Sequence, residues 1–160
     1  MRINIILLFS ALLLITCKSS KDLEYSNGNS IHIKAPKEVN KGSQIGFEFV
    51  NSTSKDIIIQ NPAIKNIYKY VEGNWIKVRI LYCPCGADCI PPPKTKTLKP
   101  GETHKYSWNL TESWCGKKKT NNIPNTIEHK SSTGTYRTII FYSFDDNKQG
   151  KIIKKFNIIN

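Results

Sequence analysis

Alternating hydrophobicity is the feature that most constrains this chain. It recurs in short stretches between turn residues, the pattern of half-buried β-strands rather than of helices. Residues 30–35 (SIHIKA) place Ile31, Ile33 and Ala35 on one face and His32 and Lys34 on the other. Residues 44–50 (QIGFEFV) repeat this with Ile45, Phe47 and Phe49. Residues 75–82 (WIKVRILY) predict the strongest strand, with Ile76, Val78, Ile80 and Tyr82 opposite Trp75, Lys77, Arg79 and Leu81. Residues 103–110 align His104, Tyr106, Trp108 and Leu110, and residues 134–144 align Tyr136, Thr138, Ile140 and Tyr142. Shorter strands are expected at 55–60, 66–71, 94–99 and 151–158. No stretch offers a capped amphipathic helix longer than about two turns.

Seven to nine short strands without βαβ alternation predict an all-β domain, a two-sheet immunoglobulin-like sandwich. A jelly roll or small barrel is the alternative that chain order leaves open. Residues 111–132, holding Trp114, Cys115, Lys117 to Lys119 and Pro124, read as one long loop.

The N-terminus bears on compartment. Arg2 precedes an apolar run, residues 5–15, broken only by Ser10. That length suits the apolar region of a signal peptide and is short for a membrane span. The run ends in Leu14-Ile15-Thr16-Cys17, which resembles the lipobox of bacterial lipoproteins, with Thr16 where Gly, Ala or Ser is usual. The resemblance implies removal of residues 1–16 and acylation of Cys17. It places the protein on a membrane through that anchor, at the periplasmic side or cell surface. Stable anchoring needs at least two chains. Residues 17–29 would then be a polar tether and residues 30–160 the folded domain.

Twenty-four Lys and Arg oppose 12 Asp and Glu, for a net charge of +12. Losing Arg2 leaves +11, almost all of it Lys, with Arg79 and Arg137 the remaining arginines. Base and phosphate recognition favours the arginine fork, so nucleic acid is not an expected partner. Scattered lysines suit a solvated surface or attraction to anionic headgroups or acidic glycans.

Setting Cys17 aside leaves Cys83, Cys85, Cys89 and Cys115. An even number in an oxidising compartment points to disulfides. Cys83 and Cys85 are too close to bridge each other, which leaves Cys83–Cys89 with Cys85–Cys115, or Cys85–Cys89 with Cys83–Cys115. Four thiolates could instead hold zinc, or Cu(I), but the usual two-residue spacer is missing; a redox centre lacks its CxxC. No metal or other cofactor is expected. Around the cysteines, Pro91, Pro92, Pro93, Trp114, Lys117, Lys118 and Lys119 form a candidate binding surface, stiff through its prolines and preorganised by a staple. The plainer expectation is that Trp114 covers the disulfide and Trp108 fills the core.

Catalytic chemistry is thin. His32, His104 and His129 lie on different segments, and no HxH, HExxH or GxSxG occurs, so an enzyme is not expected. Asp145-Asp146-Asn147 reads as a hairpin turn rather than a calcium loop, and Asn51-Ser52-Thr53 and Asn109-Leu110-Thr111 as chance glycosylation matches. The turn at 98–102 (LKPGE), the Trp108 strand and Gly134-Thr135-Tyr136-Arg137 are similar to the penultimate strands of bacterial immunoglobulin-like modules. They are similar, more loosely, to the Bacillus intracellular proteinase inhibitor family. The cysteine loop is an insertion beyond that pattern, and no inhibitory activity is carried over. The function expected is an anchored binding or envelope-associated accessory module, with an envelope protein or glycan as partner.

Overall fold

A computed structural model describes residues 30–145 and 148–160, with the side chains of Lys118 and Thr120 left out. The signal segment, Cys17, the tether and Asp146-Asn147 lie outside the described residues. The described part is all-β, with three sheets and no helix. The strands are β1 (Ile31–Lys34), β2 (Glu38–Asn40), β3 (Ile45–Asn51), β4 (Ile57–Gln60), β5 (Ile67–Val71) and β6 (Asn74–Lys77). They continue with β7 (Thr95–Leu98), β8 (Thr103–Trp108), β9 (Thr111–Thr120), β10 (Ile123–Lys130), β11 (Gly134–Phe144) and β12 (Gln149–Ile159).

β11 organises the large sheet. One edge pairs with β12 from Gly134↔Ile158 to Ser143↔Gln149. The other edge is shared: β5 takes Tyr136 to Thr138, and β4 takes Tyr142 to Phe144. β7 extends β4, β6 extends β5, and β2 runs parallel to the end of β12. A separate sheet of β1, β3 and β8 faces this one.

The two faces meet in an aromatic core, as the alternation requires. Phe47 of β3 meets Phe156 of β12 edge-on at 5.4 Å, and Trp108 of β8 meets Tyr136 of β11 at 5.7 Å. Phe49 approaches Tyr142 at 6.0 Å. Burying each such side chain contributes about 1.5–3 kcal/mol. Tyr106 and Thr138 bridge the two sheets through their hydroxyls at 2.9 Å. Burial raises the Tyr106 phenol well above its ordinary value, so it stays neutral. Gly150 lies opposite Tyr142, where a Cβ would come within 2.5 Å of the phenol ring. The large aromatic is accommodated because its neighbour has no side chain.

Two strand expectations need correction. Residues 75–82 do not form one long strand; β6 ends at Lys77. Val78 still donates to Ile67 at 2.8 Å and is buried, but β5 begins at Ile67 and offers no further ladder. Beyond that point the chain leaves the sheet, and Ile76 and Tyr82, expected inside, are exposed. The second correction is residues 111–132, which form the β9–β10 hairpin rather than a loop. Its turn is the pair Asn121-Asn122, with φ of 51° and 66°, the left-handed pair of a two-residue type I′ turn. β2, three residues long, has too short an alternation to be foreseen.

Leu110 turns the chain from β8 into this hairpin. It is buried yet has φ of 54°, a conformation costing about 1 kcal/mol or more for a branched residue. Two hydrogen bonds hold it: Trp108 Nε1 donates to the Thr111 carbonyl at 2.9 Å, and Ser131 N to the Leu110 carbonyl at 2.8 Å.

Asn51, fully buried, locks the opposite end. Its Nδ2 donates to the Lys55 and Leu98 carbonyls, both at 2.9 Å. Its Oδ1 accepts from Thr53 N at 3.0 Å and Thr53 Oγ1 at 2.7 Å. All four hydrogen-bonding positions of the amide are used, so the glycosylation match here is buried in the fold. Asn51→Asp keeps the shape but faces two carbonyls with a carboxylate. Denaturant unfolding should show a loss of about 2–4 kcal/mol; an unchanged midpoint would mean that the clasp contributes nothing.

Candidate functional site

The cysteine loop is built against the β9–β10 hairpin. Cys85 pairs with Cys115 of β9, Cα atoms 5.6 Å apart, and Cys83 pairs with Cys89 at 6.4 Å. Of the two connectivities the sequence allows, this is the one that encloses Cys85 in the smaller loop. Backbone contacts reinforce it. Ser113 N donates to the Arg79 carbonyl at 2.8 Å, and Leu81 N donates to Ser113 Oγ at 2.8 Å. Cys85 N donates to Thr126 Oγ1 on β10 at 2.9 Å. Gly86, at φ of 73°, lies so close to Ile123 that a Cβ would meet its Cγ2 at 2.3 Å. Only glycine fits both that conformation and that approach. The four sulfurs therefore sit as two bonded pairs, and among the described residues no group of three or more His, Cys, Asp or Glu is placed to hold a metal.

Trp114 is not a free aromatic face, and as the strand neighbour of Cys115 its side chain leaves β9 on the opposite side from the sulfur. The Arg79 guanidinium stacks on its ring at 3.8 Å, a cation–π contact that joins the end of the β6 segment to the hairpin. Lys117 and Lys119 are exposed on β9, beside an irregularity where the β9–β10 register shifts between Pro124 and Thr126. Pro91 and Pro93 are exposed, and Pro92 is partly covered. This run leads into β7 and is anchored where Asn61 N donates to the Lys94 carbonyl at 2.7 Å. Trp114 and the prolines thus reach the surface on different supports.

Apolar exposure adds residues not singled out from the sequence. Ile90, beside Cys89, is 87% exposed, and Tyr82, Ile123 and Ile127 are also exposed. Ile90 thus stands well into water next to the Cys83–Cys89 bridge. Its signal in the sequence was slight: one aliphatic between a cysteine and three prolines. A recess of about 200 Å³ beside this loop is lined by Ala63, Ile64, Lys65, Ile80, Leu81 and Tyr82. Together these make a rigid, partly apolar platform with lysines on its hairpin.

A second polar feature lies where β5 hands over to β4. His104 is half-buried there; its Nε2 lies 3.1 Å from the Pro62 carbonyl and its Nδ1 3.5 Å from Lys96 Nζ. A neutral ring suits both contacts, donating from Nε2 and accepting at Nδ1. The adjoining cavity, about 10 Å³, has room for one water. Burial lowers the His104 pKa below its ordinary 6.5; the hydrogen bond to Pro62 opposes this and Lys96 adds to it. No carboxylate accompanies it among the residues lining that cavity, and the Tyr106 and Thr138 hydroxyls there are bonded to each other. His32 and His129 lie elsewhere, on β1 and β10.

No protein-family model matches the chain, and no characterised protein matches it in sequence.

Two predictions follow from this geometry. Cys85–Cys115 spans 30 residues and Cys83–Cys89 spans 6, so removing the first should cost about 3–4 kcal/mol and the second about 2. Hydrogen exchange in the Cys85→Ser/Cys115→Ser protein should quicken across β9 and β10 while β11 stays protected; equal protection of both regions would contradict the staple. For His104, the unfolded chain binds its proton more readily than the folded one. Stability from this group is therefore complete above pH 6.5 and declines as pH falls below it. Thermal melts should show that decline in the wild type and a shallower one in His104→Gln. Identical slopes would mean that the ring is not held neutral. Glu48, whose pKa Lys105 lowers from 4.5, loses its contribution only in a more acidic range.

Proposed function

We propose that this chain is an extracytoplasmic lipoprotein, acylated at Cys17, whose domain is a non-enzymatic binding or accessory module of the cell envelope. The observation that carries this reading is the pairing of Cys83 with Cys89 and Cys85 with Cys115. Paired sulfurs stapling a surface hairpin suit an oxidising compartment, and the Leu14-Ile15-Thr16-Cys17 motif supplies both export and anchor. The stapled platform is its partner-facing surface: Ile90 and Tyr82 supply apolar area, Pro91 to Pro93 stiffness, and Lys117 and Lys119 charge. Rigid loops lose little conformational entropy on binding.

We assign the domain to the immunoglobulin-like sandwiches. The support is local: Tyr136, near the start of β11, donates from its hydroxyl to the Ser132 carbonyl four residues upstream at 2.7 Å. That is the arrangement of a tyrosine corner. Buried Trp108 packs against the same ring.

Labelling cells that express the chain with a fatty-acid analogue tests the anchor. Wild type should take up label and fractionate with membranes, and Cys17→Ser should do neither. Mature protein should show no free thiol before reduction and four after it. An unlabelled chain in the cytoplasm with four reduced thiols would overturn the reading.

A further inference from the structure

The outer face of the large sheet joins cations to aromatic rings. β5, β6, β11 and β12 together contain no Asp or Glu, and their register sets Lys77, Arg137, Lys151 and Lys155 on this outer side. Pairing sets four outward residues in one row across these strands: Lys77↔Tyr68, Tyr68↔Arg137 and Arg137↔Lys155. The row spans three inter-strand steps, about 14 Å. Beside it lie Trp75 and Tyr70, paired across β5–β6 with rings 5.1 Å apart.

Arg137 is the centre of this surface. Its guanidinium lies over Trp75 at 4.4 Å and over Tyr68 at 5.3 Å. Its Nε is enclosed without an acceptor, and among the described residues the one ion pair is Lys105–Glu48, on the other sheet. Glu72 lies in the β5–β6 turn, Glu38 on the far β2 edge, and Glu112 close enough to act on Tyr136, on the inner face. An arginine fixed between two rings, with no carboxylate of its own, is preorganised for a planar anion from outside. Tyr70 stands 47% exposed and Trp75 is half-buried. Rings seated this way beside the cations offer area for stacking.

We propose that this row, Lys77–Tyr68–Arg137–Lys155, with Trp75 and Tyr70 beside it, binds an acidic polysaccharide. Sugar carboxylates face the cations, Arg137 taking one in bidentate fashion, and the C–H faces of the sugar rings stack on the aromatics. Cations spread along one line suit a polymer that repeats its charge; a single small anion would use Arg137 alone. The row lies on the large sheet rather than the stapled loop, so the inference stands whether or not that loop binds a partner.

The test is affinity electrophoresis of the full chain in neutral detergent, through gels containing polygalacturonate or neutral dextran. Polygalacturonate should retard the wild type and dextran should not. Arg137→Gln should weaken binding about tenfold or more, and Arg137→Lys should restore little of it. Lys77→Gln/Lys155→Gln, at two exposed positions, should weaken it too if Arg137 variants fail to fold. Lys55→Gln/Lys99→Gln, with the same charge change off this face, should bind as wild type. Equal weakening by both lysine pairs would reduce the effect to net charge and overturn the proposal. So would Arg137-dependent binding to phosphatidylglycerol micelles with no retardation by polygalacturonate, which would assign the face to a lipid surface.

Discussion

Everything in this domain is referred to β11, a strand with both ladder edges occupied. β12 covers one edge along nearly its whole length, and β5 and β4 divide the other. Its inner face carries Tyr136, Thr138, Ile140 and Tyr142 into the core, where the aromatic side chains of β3 and β8 meet them. Its outer face sets Arg137 in the cation row. Because side chains alternate, a slip of one residue would exchange these faces, placing a guanidinium in the core. The buried Tyr106–Thr138 contact and the Gly150–Tyr142 fit each suit one register only.

The divided edge has a structural result. Where β5 gives way to β4, the sheet has no continuous neighbour for Ile139, whose N–H bonds to the Asn66 carbonyl at 2.9 Å instead. The connecting segment crosses there, and His104 closes the gap by bonding to Pro62. A titratable group thus stands where the sheet is least regular, and its neutral form is the one that fits.

Strands that supply the core were legible because alternation records which face is buried. Residues 44–50 and 134–144 were readable for that reason, and Trp108 fills the core as expected. The staple was legible as a pair of alternatives, since cysteine spacing excludes one pairing but cannot choose between the other two. The β9–β10 hairpin was not legible: Gly116, the lysines and Pro124 obscure its alternation, and it packs beside the core rather than into it. The Asn121-Asn122 pair was the available sign. Residues 75–82 misled for the opposite reason. Their alternation is real, but a strand needs a neighbour, and none continues past Ile67. The outer-face row was invisible because it draws on four strands whose register only the fold supplies.

The two sulfur bridges interleave: Cys85 lies inside the Cys83–Cys89 segment, and its partner is 30 residues further on. Order of synthesis therefore cannot dictate the pairing. Three thiols emerge close together well before Cys115 exists to accept one of them. A chain oxidised as it emerges can close Cys83–Cys89, which leaves Cys85 for Cys115, or the wrong Cys85–Cys89 pair, from which the native set is reached only through thiol exchange. The hairpin that Cys115 belongs to must form before that exchange has a reason to stop. A chain that takes the wrong first pair thus depends on a reshuffling catalyst or a reducing interval as well as on an oxidant.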